Sequence, residues 1–153
     1  MSTSTDVATV ERVIPAPPEK IFALLADPAR HPEIDGSGTV REATTGSVRL
    51  HLGSTFGMSM KAGIGYSMVS TIIEFEEDRR IAWQSRSPNK VMAKFGGGRI
   101  WRYVLEPVPG GTKVSESWDI TQEQNAWLVR PLRKRTIDGM TKTLARIEAI
   151  VTA

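Results

Sequence analysis

The sequence predicts an α+β fold, a curved antiparallel sheet closed around one long helix. Three observations predict it. Ile137, Met140, Leu144, Ile147 and Val151 recur at steps of three, four, three and four, which sets apolar side chains along one side of an α-helix. From Thr39 onward, about eighty residues alternate between strand-like and turn-like stretches. Two short helix-like stretches separate that run from the first strand, so helices are segregated from strands rather than alternating with them. A long helix with one apolar stripe needs a broad surface to lie on, and any function belongs between helix and sheet.

Taken in order, Val7 to Ile14 reads as a strand, with Val7, Thr9, Glu11 and Val13 on one face and Ala8, Val10, Arg12 and Ile14 on the other. Pro15 ends it. Ala16-Pro17-Pro18-Glu19-Lys20 opens a short helix, because proline is tolerated in a first turn where its missing N–H has no partner to lose. Ile21, Phe22, Leu24 and Leu25 form its apolar side. Asp27-Pro28 closes it and starts a turn or short helix through His31, Pro32 and Ile34, and Asp35-Gly36-Ser37-Gly38 is a turn.

Strands are then expected near 38–44, 47–52, 54–61, 66–76, 79–87, 97–107 and 112–120. The stretch Phe75 to Ile81 reads as a hairpin that sets Phe75 opposite Ile81 and Ile73 opposite Trp83. A second hairpin connection at Glu106 to Thr112 sets Leu105 opposite Val114, Tyr103 opposite Glu116 and Trp101 opposite Trp118. Those six share the inner face, while Arg102, Glu106, Lys113, Ser115, Ser117 and Asp119 fall on a solvated one. The terminal helix runs from about Gln122 to Val151, its outer side carrying Arg135, Asp138, Lys142 and Arg146. Asp138 precedes Lys142 by four residues, the favourable order for a helical ion pair.

Composition narrows the class. A chain of 153 residues, 40% hydrophobic and 24% charged, reads as one soluble domain over 1–153 with a real core. It has no cysteine, which removes disulfides and thiolate chemistry and fits a cytoplasmic location. Met1 to Asp6 is polar and does not read as a signal peptide, and no apolar run approaches a membrane span. The net charge is +3. Six basic and two acidic residues between Arg130 and Glu148 put +4 on that stretch and leave about −1 elsewhere. A solvated helix face explains this excess better than a nucleic-acid or membrane patch.

Several stretches carry a family likeness. They are Val13 to Phe22, Leu25-Ala26-Asp27-Pro28, His31 to Gly38, Ile100 to Pro107 and Gly110 to Asp119. Together they resemble the START-like, or SRPBCC, superfamily and within it the bacterial polyketide cyclase/dehydrase branch. The resemblance covers Val7 to Val151. It implies a helix-grip (Bet v 1-like) fold: about seven antiparallel strands around the C-terminal helix, with two small helices completing the grip. It also implies a deep, largely apolar cavity that takes lipids, polyketides or aromatic compounds. Members of one fold bind, carry or catalyse, so fold alone does not choose among these activities.

The expected inner residues suit such a cavity. Phe56, Met58 and Met60 alternate on one strand, joined by Trp83, Trp101, Trp118 and, from the helix, Ile137, Met140 and Leu144. Methionine adapts to irregular apolar space, and aromatic rings present flat surfaces. The plain alternative is that these residues fill a core. Gly139, in mid-helix, points to close packing or to space beside Met140. Glu116 is the polar residue that most needs a reason, since a buried carboxylate must be paired or protonated. With Tyr103 it would orient a ligand oxygen, be satisfied structurally, or act as an acid/base pair. Thr71 and Ser85 are also expected to point inward. His31, Glu33 and Asp35 alternate, but a turn histidine bonded to backbone is the commoner case than a metal site. Gly36-Ser37-Gly38 and Gly96-Gly97-Gly98 match no nucleotide motif, and the triple glycine reads as a flexible cavity mouth or a bulged strand start.

The resulting expectation is a binder of a small hydrophobic molecule, with no cofactor or metal and no assigned catalytic residue, monomeric or homodimeric. Ligand contacts are expected from Phe56, Met58, Met60, Trp83, Trp101, Tyr103, Glu116, Trp118, Ile137, Met140 and Leu144. One alternative is a polyketide cyclase/aromatase or dehydrase using Glu116 and Tyr103. The other is an RNA- or protein-interaction module using the basic helix face.

Overall fold

The computed structural model describes residues 6–44, 46–94 and 96–153; the polar Met1 to Thr5 stretch lies outside them. Strand β1 (Val7–Ile14) is followed by α1 (Pro18–Leu25), a 3-10 turn (Pro28–Arg30) and α2 (His31–Ile34). Strands β2 (Val40–Ala43), β3 (Thr55–Ala62), β4 (Ile64–Glu76), β5 (Arg80–Arg86), β6 (Arg99–Val108) and β7 (Gly111–Asp119) then form one antiparallel sheet with β1, in the order β1-β7-β6-β5-β4-β3-β2. Helix α3 (Ala126–Val129) leads through a 3-10 turn at Arg130–Leu132 into α4 (Arg133–Val151). This is the helix-grip arrangement.

The terminal helix starts later than the 122 expected and changes pitch once. Pro131 has no N–H to give an α-helical bond, and the tighter turn absorbs that loss. The segment 47–52 is no strand. Leu50 is fully buried, and its N–H bonds to the Ala26 carbonyl at the end of α1 instead of a ladder. Register in the β6–β7 hairpin is as expected: Trp101 faces Trp118, Tyr103 faces Glu116 and Leu105 faces Val114. In the β4–β5 pair Phe75 faces Ile81, but Ile72, not Ile73, faces Trp83. A bulge between Ile72 and Glu74 adds a residue and reverses which side chains point inward upstream of it. Ser70 is therefore buried and Thr71 exposed, the reverse of the expectation.

Helix α4 has two halves. Leu144 and Ile147 pack in the main core with Ile14, Ile21, Phe22 and Leu25. The earlier half is held by the turn after α2. The Asp35 carboxylate accepts from the N–H groups of Ser37, Gly38 and Val40 at 3.0, 3.0 and 3.1 Å and so shapes that turn. The Gly36 N–H donates to Thr143 Oγ1 at 2.9 Å. A Cβ on Gly36 would lie 2.4 Å from the Gly139 carbonyl oxygen and 2.5 Å from the Thr143 nitrogen, so no larger residue fits. Gly139, in mid-helix, lies beside Ser37, whose Cα would be 3.4 Å from a Cβ there, an ordinary contact.

The convex face is less solvated than expected. Glu74 accepts from Arg80 Nε at 2.7 Å and from Arg102 Nη2 at 2.7 Å, and Arg102 Nη1 reaches Asp119 at 3.3 Å. Asp119 is buried. These arginines hold the Glu74 carboxyl at a pKa of about 2, well below its usual value.

Replacing Gly36 by alanine should destabilise the fold by about 1–3 kcal/mol through overpacking. Gly139→Ala, with only ordinary contact to make, should stay within about 1 kcal/mol of the parent. Urea denaturation of both variants checks the contrast, and equal losses would count against this account of the turn.

Candidate functional site

Helix α4 packs on β1, β7, α1 and α2. Its second half sits on filled core, while its first half borders a cavity of about 670 Å³ between it and the inner face of β3–β7. Phe56, Met58 and Met60 on β3 and Met68 on β4 line one wall. Trp83 on β5, with Trp101 and Tyr103 on β6, lines the next. Met140 comes from α4, so four methionines border this space among the described residues.

The aromatic wall is ordered by contact. The His31 ring stacks on Trp83, centroids 4.9 Å apart and planes 18° apart, and meets Phe56 edge-on at 5.3 Å. His31 Nε2 bonds to the Leu25 carbonyl at 2.9 Å, which makes it the N–H tautomer there. Burial pulls its pKa down to about 4. Ser70 and Ser85, both buried, share a hydrogen bond of 2.8 Å at another part of the lining.

Glu116 is the chemical centre. It is 3% exposed, and its Oε1 has no hydrogen-bond partner among the described residues. Burial raises its pKa to about 8; hydrogen bonding with Tyr103 pulls the other way, and the Asp35 charge adds to the rise. Burial, and then Glu116, push the Tyr103 phenol well above its usual value. At neutral pH the pair is therefore mainly a carboxylic acid beside a phenol, able both to donate and to accept.

Residues 5–152 match the family described as polyketide cyclase / dehydrase and lipid transport. The chain belongs to this family. An uncharacterized protein of Mycobacterium tuberculosis is 33% identical over 108 residues, which are 69% of this chain. The match spans 44% of that curated relative's length. Among solved structures, protein Ms6760 of Mycobacterium smegmatis superposes with a TM-score of 0.73 at 18% identity, covering 99% of this chain and 94% of that one. A Polyketide_cyc-like protein of Corynebacterium glutamicum gives 0.62 at 21% identity, covering 99% and 94%. At these identities the likeness establishes the fold.

For this polyketide cyclase/dehydrase family member, eight of the eleven expected contact residues border the cavity: Phe56, Met58, Met60, Trp83, Trp101, Tyr103, Glu116 and Met140. Three do not. Trp118 is fully buried in a cluster with Ala8, Ile120 and Val129, against which Ile137 packs. Leu144 belongs to the main core and directly follows Thr143, where α4 leaves the cavity. His31, Met68, Ser70 and Arg99 were missed. Met68 and Ser70 follow the same two-residue alternation as Met58 and Met60, and the bulge hid it. Glu33 pairs with Arg30 rather than joining His31. The triple glycine is a site of tight contact: a Cβ on Gly98 would lie 2.3 Å from the Gln122 carbonyl.

Two shifts set opposite pH limbs. Between about 4.5 and 8 the folded protein keeps a Glu116 proton that the unfolded chain has lost, so stability falls as pH rises through that window. His31 acts between about 6.5 and 4, where the unfolded chain is protonated first, so stability falls as pH drops. From 6.5 to 8 Glu116 dominates. Melting temperature should decline across that range, and Glu116→Gln should flatten the decline. An unchanged slope in the variant would refute the assignment.

Proposed function

We propose that this protein binds a small, largely apolar molecule in the cavity between its sheet and α4, with Glu116 and Tyr103 orienting one ligand oxygen. The observation that carries this reading is the buried Glu116 carboxyl aimed into an apolar space with one oxygen unpartnered. Burial of apolar ligand surface supplies affinity at roughly 25 cal/mol per Å². The family description, which includes lipid transport, supports the same class of guest. The proposed contacts are the eight cavity residues named above together with His31 and Met68.

A second reading has its own support. A carboxylic acid with a pKa of about 8 is in the protonated form that a general acid needs at neutral pH. In that reading Glu116 protonates a ligand carbonyl or a departing hydroxyl, as a cyclase or dehydrase requires. The basic-face alternative is weakened, because Arg130 pairs with Asp6 and Lys142 with Asp138.

Mass spectrometry of organic extracts from purified protein should recover an apolar compound, and Trp83→Ala should reduce its yield at least tenfold. Extracts empty for both proteins, with no apolar probe quenching the tryptophan emission, would end the binding reading. If the ligand is turned over, Glu116→Gln should abolish turnover while binding stays within about threefold; parallel loss of both would remove the enzymatic reading.

A further inference from the structure

The cavity has a second polar station, at its β4–β6 end. On the inner face the ladder sets Ser70 opposite Ser85, and Ser85 opposite Arg99. The two serines hydrogen-bond to each other, so one hydroxyl proton remains for a third group. Arg99 borders both the internal cavity and the outer hollow beyond Tyr66 and Met68. Its Nε is buried without a hydrogen-bond partner. Its ion-pair partner, Glu123 Oε2, is 3.5 Å away and likewise makes no hydrogen bond among the described residues. Glu123 is fixed there because its Oε1 accepts from the Gly97 N–H at 2.6 Å. Among the described residues, no hydrogen bond engages the guanidinium's other N–H groups, and the side chain is 28% exposed.

Resting on the cavity reading above, we propose that Arg99, with the Ser70–Ser85 pair, receives a ligand carboxylate, so that the guest is an amphipathic acid. An arginine edge matches a planar carboxylate with two parallel hydrogen bonds. A doubly charged phosphate fits worse, because Glu123 already offsets part of the arginine charge. The two stations also set a length. Arg99 and Tyr103 are four residues apart on β6, roughly 13 Å at about 3.3 Å per residue. The ligand therefore carries its acid group at one end and a hydrogen-bonding oxygen about that far along an apolar body, with Trp101 between them on the same face.

The test uses cis-parinaric acid and its methyl ester, which share a body and differ in charge. Wild-type protein should bind the acid at least tenfold more tightly than the ester. Arg99→Gln should abolish that preference while leaving ester affinity within about threefold. Because the single change strands Glu123, the double variant Arg99→Gln, Glu123→Gln repeats the measurement with both charges removed. Equal affinities of acid and ester for the wild type, or a preference that survives in the variants, would overturn the carboxylate assignment and leave the cavity reading standing. Binding of neither probe would overturn both.

Discussion

The architecture depends on one close contact, where the turn after α2 meets the middle of α4. Backbone touches backbone there because residue 36 is glycine, while Gly139 opposite it makes only ordinary contact with Ser37. Asp35 shapes the turn from within, and Thr143 receives it. This contact holds the helix at its midpoint. Beyond it, Leu144 and Ile147 descend into a filled core; before it, Arg135, Thr136 and Asp138 border open space, as Met140 does within it. A helix with one continuous apolar stripe thus performs two tasks, and the boundary between them is set by the turn rather than by the stripe. Mid-helix glycine costs about 1 kcal/mol against alanine, a small term beside the packing it permits.

The two faces of the sheet handle charge in opposite ways. On the convex side Glu74 is met by two arginines, and its pKa falls to about 2. On the concave side Glu116 has a phenol and no cation, and its pKa rises to about 8. The same side-chain type is a stabilising anion in one place and a neutral acid in the other. The difference lies in desolvation without a counter-charge. Among the described residues, the buried side-chain atoms lacking partners belong to Arg99, Glu116, Trp118 and Glu123. All lie on β6, β7 or the segment just after β7. Buried polar groups without partners cost about 1–3 kcal/mol each. Their concentration along one edge of the interior marks where the fold gives up stability.

The sequence carried the fold because its strongest signals are local. The α4 stripe needs only helical period, and the β6–β7 register needs only a symmetric turn, so the sequence alone sets Tyr103 opposite Glu116, as the ladder does. What was not legible depended on contacts distant in sequence. The bulge after Ile72 leaves no compositional mark, yet it decides that Ser70 and not Thr71 faces inward. His31 reads as an ordinary turn residue until Trp83 is brought beneath it. Trp118 and Leu144 have the right chemistry for a cavity wall and the wrong position, because periodicity identifies the buried side of an element without saying whether core or space lies against it.

The proposed site combines two kinds of wall, and this bears on what it selects. Trp83 packs on the His31 ring and on the neighbouring, tilted Tyr103, with centroids 4.9 and 5.6 Å away. A surface fixed that way offers one flat shape and loses little entropy when a ring lies on it. Met58, Met60 and Met68 face it from β3 and β4, and unbranched thioether chains refit at small cost. A guest is therefore discriminated on its planar side and tolerated on the other. Polar stations at Glu116 and Arg99 add direction, because a group that satisfies a buried donor or acceptor gains what its absence would forfeit. In the proposed site, orientation would come from two fixed points on neighbouring strands and accommodation from the methionines.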